Sequence, residues 1–112
     1  MKRITDRDGR ALLEYDGDLK SMDWDQIDLT GASLQHCCLR GAVLTDVIFR
    51  GANLRHADLG RNNLGSPCIV SGADFSNADL HGTNFEGALW DDRTRFPEGF
   101  SALECGLVKI PE

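Results

Sequence analysis

From residue 17 to residue 92 large apolar residues recur every five positions, a spacing that fits neither the 3.6-residue turn of an α-helix nor the two-residue alternation of a flat strand. The centres are Leu19, Trp24, Leu29, Leu34, Leu39, Leu44, Phe49, Leu54, Leu59 and Leu64, then Val70, Phe75, Leu80, Phe85 and Trp90. The register slips by one residue at Gly65-Ser66-Pro67. Two positions before most centres stands a small side chain, as in Ala32, Ala42, Ala52, Ala73 and Ala88, and the residue between is usually polar, as in Asp28, Asn53, Asp58, Asp74, Asp79 and Asn84. A small-polar-large triplet turns its outer members to one side and its middle member to the other, which is strand geometry lasting three residues. The other two positions hold Ser, Thr, Arg and Gly, which suit a corner.

The phrases GASLQ, GAVLT, GANLR, HADLG, GADFS and NADLH carry an A(D/N)LXX motif that resembles the pentapeptide repeat family over residues 17–92. The resemblance implies an all-β chain, a right-handed quadrilateral parallel β-helix in which four pentapeptides form the four sides of one coil. Fifteen units then make about four coils, and strands spaced about 4.8 Å apart give a stack about 18 Å tall.

A solenoid needs its ends covered, because an open strand edge exposes unpaired backbone groups. Residues 1–16 predict a hairpin, with strands at Lys2 to Asp6 and Arg10 to Tyr15 joined by a tight type I′ turn at Asp8-Gly9. Its apolar members Ile4, Leu12 and Tyr15 would cover the first coil. Residues 93–112 depart from the repeat, and Phe96, Pro97, Gly99 and Phe100 resemble the closing segment of many pentapeptide arrays. The two phenylalanines offer a plug for the open core, and Ser101 to Cys105 predicts a helical turn. The whole chain reads as a single domain, 1–112, with an N-terminal hairpin cap, repeats and a C-terminal cap.

With 18 acidic and 12 basic residues the net charge is −6, which argues against direct contact with a nucleic-acid backbone and leaves solubility or a basic partner as its meaning. No apolar run reaches the roughly 20 residues that span a bilayer, so no membrane is expected. Four cysteines, two of them adjacent at Cys37 and Cys38, give no local staple, and no secretory signal precedes them, which points to a reducing cytoplasmic setting. Cys37 and Cys68 fall at inward small-residue positions, where a thiol acts as a compact hydrophobe. Cys38 points outward, as a surface thiol.

Stacking positions 20 apart, or 21 across the slip, turns the sequence into a map of columns. The inward ladders become Leu19, Leu39, Leu59 and Leu80; Trp24, Leu44, Leu64 and Phe85; Leu29, Phe49, Val70 and Trp90; and Leu34, Leu54 and Phe75. They fill the lumen, so no cofactor is expected. One outward ladder then reads Asp28, Ile48, Ile69 and Leu89. Its apolar members, flanked by Arg50, mark the candidate interaction surface for another protein or for a second copy in a homodimer. His36 and His56 stack at one corner beside Arg55 while His81 lies in a different column. Two imidazoles fall short of the usual three or four metal ligands, so the pair reads as solvated corner residues and no metal is assigned.

No phosphate loop, nucleophile elbow or HExxH pattern occurs, and a solid-cored solenoid offers catalysis no concave pocket, so no enzyme is expected. The function expected is a structural or protein-interaction module. Its alternative is mimicry of DNA toward a type II topoisomerase such as gyrase. For that the stack is short and Arg40, Arg50, Arg55 and Arg61 interrupt the acidic surface.

Overall fold

In a computed structural model of the chain, residues 2–6, 8–15, 24 and 26–110 are described, without the side chains of residues 2 and 13–15. The fold is a β-helix solenoid built from very short pairings. Isolated parallel bridges join Asp28 to Ile48, Ser33 to Asn53 and Cys38 to Asp58, each a step of 20 residues. The residue between the small and the large member of each triplet is therefore the one that pairs, and both its neighbours face inward. Burial agrees: Leu29, Leu34, Leu39, Leu44, Phe49, Leu54 and Leu59 are buried, as are Ala32, Ala42, Val47, Ala52 and Ala57. Leu19 lies outside the described residues.

Each regular corner is closed by a hydrogen bond from the amide of one unit to the carbonyl of the centre three residues earlier, as in Ala32 to Leu29, Ala57 to Leu54 and Ala78 to Phe75; the corners after Leu59 and Trp90 depart from it. Such a turn needs a left-handed residue two positions after the centre. His36, Asp46, His56 and Asn77 stand there at φ of 62, 59, 60 and 59°, and the position is otherwise filled by glycine, as at Gly51, or by Gln26. Asn, Asp and His are the side chains that tolerate this region best apart from glycine. The Asp or Asn at the pairing position helps turn the chain. Oδ1 of Asp28, Asn53, Asp58, Asp74, Asp79 and Asn84 each accepts the N–H of the residue two further on.

The register through the middle of the chain differs from the sequence expectation. Val43 bridges Ile69, Ile48 bridges Asp74, Asn53 bridges Asp79 and Asp58 bridges Asn84, each a step of 26 residues. The chain thus makes a six-residue excursion, where the sequence shows a slip of one. Leu64, expected in the lumen, is 91% exposed. Asn62 organises this excursion: its Oδ1 accepts the N–H groups of Leu64 and Ser66, and its own N–H reaches the Ser66 carbonyl. These local bonds satisfy backbone that would otherwise pair along the coil, and Leu64 is left outside with nothing to pack on. A true one-residue slip comes later, between Trp90 and Phe96, where Asp74 bridges Arg95, a step of 21.

The lumen ladders shift accordingly. Phe49 stacks on Phe75 at 5.1 Å between ring centroids, and Phe75 on Phe96 at 5.8 Å, both pairs within 3° of parallel. The backbone bonds place Leu44 beneath Val70, Leu54 beneath Leu80 and Leu59 beneath Phe85. Phe100 closes on Phe96 at 4.8 Å and on Phe85 at 5.7 Å, so both phenylalanines of the terminal segment do pack over the core. Ser101 to Cys105 forms the expected helical turn, with the Cys105 amide on the Ser101 carbonyl. The chain then pairs β4 (Val108–Lys109) parallel with β3 (Leu89–Trp90).

At the other end β1 (Lys2–Thr5) and β2 (Ala11–Tyr15) form the expected antiparallel hairpin. The Asp6 amide pairs with the Arg10 carbonyl and Gly9 has φ of 83°, so the connection is one residue longer than the two-residue turn the sequence suggests. Asp6 makes an antiparallel bridge to Ala32, and the Ser33 amide donates to the Thr5 carbonyl. Ile4 is buried against the solenoid and Leu12 packs at its edge. The side chain of Tyr15 lies outside the described residues.

Candidate interaction faces

The corrected register redistributes the outward side chains. Ile69 and Leu89 share a column as expected, but the column is completed by Val43 below and Val108 above, through the bridges Val43 to Ile69 and Ile69 to Leu89 and the pairing of Leu89 with Val108. Ile48 leaves that ladder for the neighbouring face, where it lies between Asp28 and Asp74. Val43, Ile69 and Leu89 are half-buried and Val108 is 48% exposed. One outward face is thus apolar at each of these four described levels, where the others, Ile48 apart, carry Asp, Asn, Ser, Cys or Arg.

The polar faces follow a second rule. An arginine two residues beyond a pairing position reaches the acid of the next coil. Arg40 Nε lies 2.5 Å from Asp58 Oδ2, Arg50 Nε lies 2.5 Å from Asp74 Oδ2, and Arg55 Nη1 lies 3.1 Å from Asp79 Oδ2. Arg50, expected to flank the apolar ladder, is thus committed to Asp74 on the neighbouring face. Burial pushes the Asp58 and Asp74 carboxyls up, yet both end below the ordinary carboxylate value. Arg40, the Gly60 amide and Asn84 more than offset burial at Asp58, and the Ser76 hydroxyl and Arg50 do so at Asp74. Asp79 is held low by the His81 amide and then by Arg55, and Asp28 by the Thr30 hydroxyl.

Gly72 shows why some corners take no side chain: at φ of 70° a Cβ there would overlap the Asp46 carboxylate, which Arg93 Nη1 meets at 3.0 Å. A groove of about 510 Å³ runs between the last coil and the terminal turn, lined by residues including Asp79, His81, Glu98 and Phe100, and it is open to solvent. Cys68 is buried, which pushes its thiol up to about 12, and burial raises that of Cys37. All four thiols are free.

The three histidines meet at one corner. His36 and His56 stack at 5.2 Å between ring centroids, and His81 stands edge-on to His56 at 5.8 Å. His81 therefore joins the pair, contrary to the column the sequence gives it. The reason is the six-residue excursion, which brings the His81 carbonyl to the His56 amide. Only the length of that excursion could have revealed this in the sequence.

The pentapeptide repeats family model matches residues 18–64 and 68–89, in 8 copies. The chain belongs to the pentapeptide repeat family. The solved structures it resembles include a pentapeptide repeat protein of Nostoc Pcc 7120, at 28% identity and a TM-score of 0.49, covering 79% of this chain and 84% of that one. A pentapeptide repeat protein from the Arabidopsis thaliana thylakoid lumen matches at 28% identity and a TM-score of 0.46, over 80% of this chain and 59% of that one. Rfr23, a pentapeptide repeat protein of the cyanobacterium Cyanothece 51142, matches at 27% identity and a TM-score of 0.28, over 66% and 53%. No curated protein matches. No helix among the described residues is long and apolar enough to cross a membrane.

Proposed function

We propose that this pentapeptide repeat protein is a non-enzymatic interaction module: a right-handed quadrilateral β-helix of about four coils, capped by its hairpin and its terminal segment, that offers a flat apolar face to another protein. A second copy of the chain is the partner to test first. The observation that carries the reading is the outward column Val43, Ile69, Leu89 and Val108, apolar at four successive levels among the described residues on a surface whose other columns are mostly polar. Such a ladder gains by leaving water, at roughly 25 cal/mol for each Å² removed. The backbone behind it is fixed by bonds at every level, so little ordering entropy opposes docking. Free thiols fit a reducing cytoplasmic setting.

DNA mimicry toward a topoisomerase rests on the net charge of −6. The diagonal pairs Arg40 with Asp58, Arg50 with Asp74 and Arg55 with Asp79 neutralise the acids such a mimic would display, so the apolar face is the better reading. Catalysis has little to work with in the open groove beside the terminal turn, where Asp79 is already tied to Arg55.

Light scattering on the wild type and on the double variant Ile69→Asp, Leu89→Asn tests the proposal. The expected result is a wild-type mass above the 12.3 kDa of one chain that falls to it in the variant. A wild type that is monomeric at high concentration, or a dimer untouched by the double substitution, would refute the self-association.

A further inference from the structure

The chain has 3 histidines, far apart in sequence, and the solenoid brings all of them to one exposed corner. We propose that His36, His56 and His81 together form a surface site for a divalent transition metal of the kind that imidazole nitrogen favours, nickel, copper or zinc.

The spacing is suited to shared coordination. Ring centroids 5.2 and 5.8 Å apart bring the His56 imidazole within side-chain reach of both neighbours, and pairs of neighbouring histidines are what grip zinc in the HExxH pattern. The scaffold beneath is fixed. The His36 amide donates to the Arg55 carbonyl and the His56 amide to the His81 carbonyl, so adjacent coils hold the three backbones in register. The His56 ring rests on Gly82, where a Cβ would overlap it.

Among the described residues no group of three His, Cys, Asp or Glu side chains is placed to hold an ion as it stands, so the ion must draw the rings together. All three are exposed. Metal–nitrogen distances of about 2.0–2.1 Å need only rotations about the side-chain bonds, and water fills the remaining positions. Arg55 lies next to this corner, but its charge is met by Asp79, whose other oxygen accepts the His81 amide.

Nickel ion, titrated into the full chain carrying Cys37→Ala, Cys38→Ser and Cys105→Ser to remove every thiol that is not buried, tests the site. One Ni²⁺ per chain is expected, and sub-stoichiometric Ni²⁺ should broaden the three imidazole proton resonances together. His56→Gln, which removes the central ligand, should weaken binding by at least the roughly tenfold that loss of even an outer partner costs at a metal site. His36→Gln and His81→Gln should each weaken it, with unchanged circular dichroism and melting as the control for folding. Broadening confined to one histidine, or affinity untouched by His56→Gln, would overturn the proposal.

Discussion

Replacing Leu59 and Leu64 separately by alanine tests the register of the whole solenoid. The two leucines are one pentapeptide apart, and an unbroken period would make them equivalent lumen residues. In the structure Leu59 is fully buried, its amide bonded to the Asn84 carbonyl, whereas Leu64 is 91% exposed at the tip of the excursion. Truncating a buried leucine removes its transfer free energy and leaves a cavity, together about 2–5 kcal/mol. Against a total of roughly 5–15 kcal/mol for a domain, Leu59→Ala should remove a large part of the stability. With a urea dependence of about 2 kcal/mol per molar, the unfolding midpoint should fall by roughly 1–2.5 M. Leu64→Ala changes only hydrated surface and should stay within about 0.5 kcal/mol. Urea unfolding followed by circular dichroism at equal slope measures both. A Leu64→Ala variant as unstable as Leu59→Ala would refute the six-residue excursion, and every column assignment made from it.

Deleting residues 62–67 together with Arg61→Gly should join Leu59 to Cys68 with one ordinary corner, the glycine taking the left-handed position, and the product should still melt cooperatively. Deleting Leu64 alone, by contrast, should leave the coil intact with a shorter loop; a deletion of 62–67 that yields an unfolded chain would count against the assigned register. Stability should also fall on the acid side. Asp28, Asp58, Asp74, Asp79 and Asp91 all lie below 3.8 when folded, so their stabilisation is complete above that value and is lost as pH drops through the folded values. On the alkaline side Cys68 holds its proton up to about 12 against an ordinary 9.0, so stability should decline as pH rises from 9 toward 12, and Cys68→Ala should flatten that limb. Urea midpoints across pH 2 to 11 would show both slopes, and a profile flat below pH 4 would contradict the first.

The inside of this protein is written in its sequence because one rule is applied many times. Each triplet needs a small and a large inward residue, and Ala52 with Leu54 or Ala73 with Phe75 satisfies it without reference to anything distant. What a local rule cannot carry is the phase between its copies. Gly65-Ser66-Pro67 reads as a breakpoint, but Leu64 before it obeys the repeat, and it is local polar bonding, centred on the side chain of Asn62, that holds the chain out of the coil there. A leucine costs little when exposed, whereas the local bonds made by Asn62 satisfy several amides at once, so the hydrophobic pattern loses to polar chemistry. The consequence falls on the surface. Shifting half of the solenoid by a further five residues moves each later unit by one side, so lumen positions remain lumen positions while the outward neighbours all change. That is why burial, Leu64 apart, was legible and the faces were not. Ile48 parts from Ile69, Val43 and Val108 enter the apolar column, and His81 arrives beside His56. In a solenoid of this kind the repeats specify a core, and the length of each interruption specifies which side chains a partner or an ion will meet.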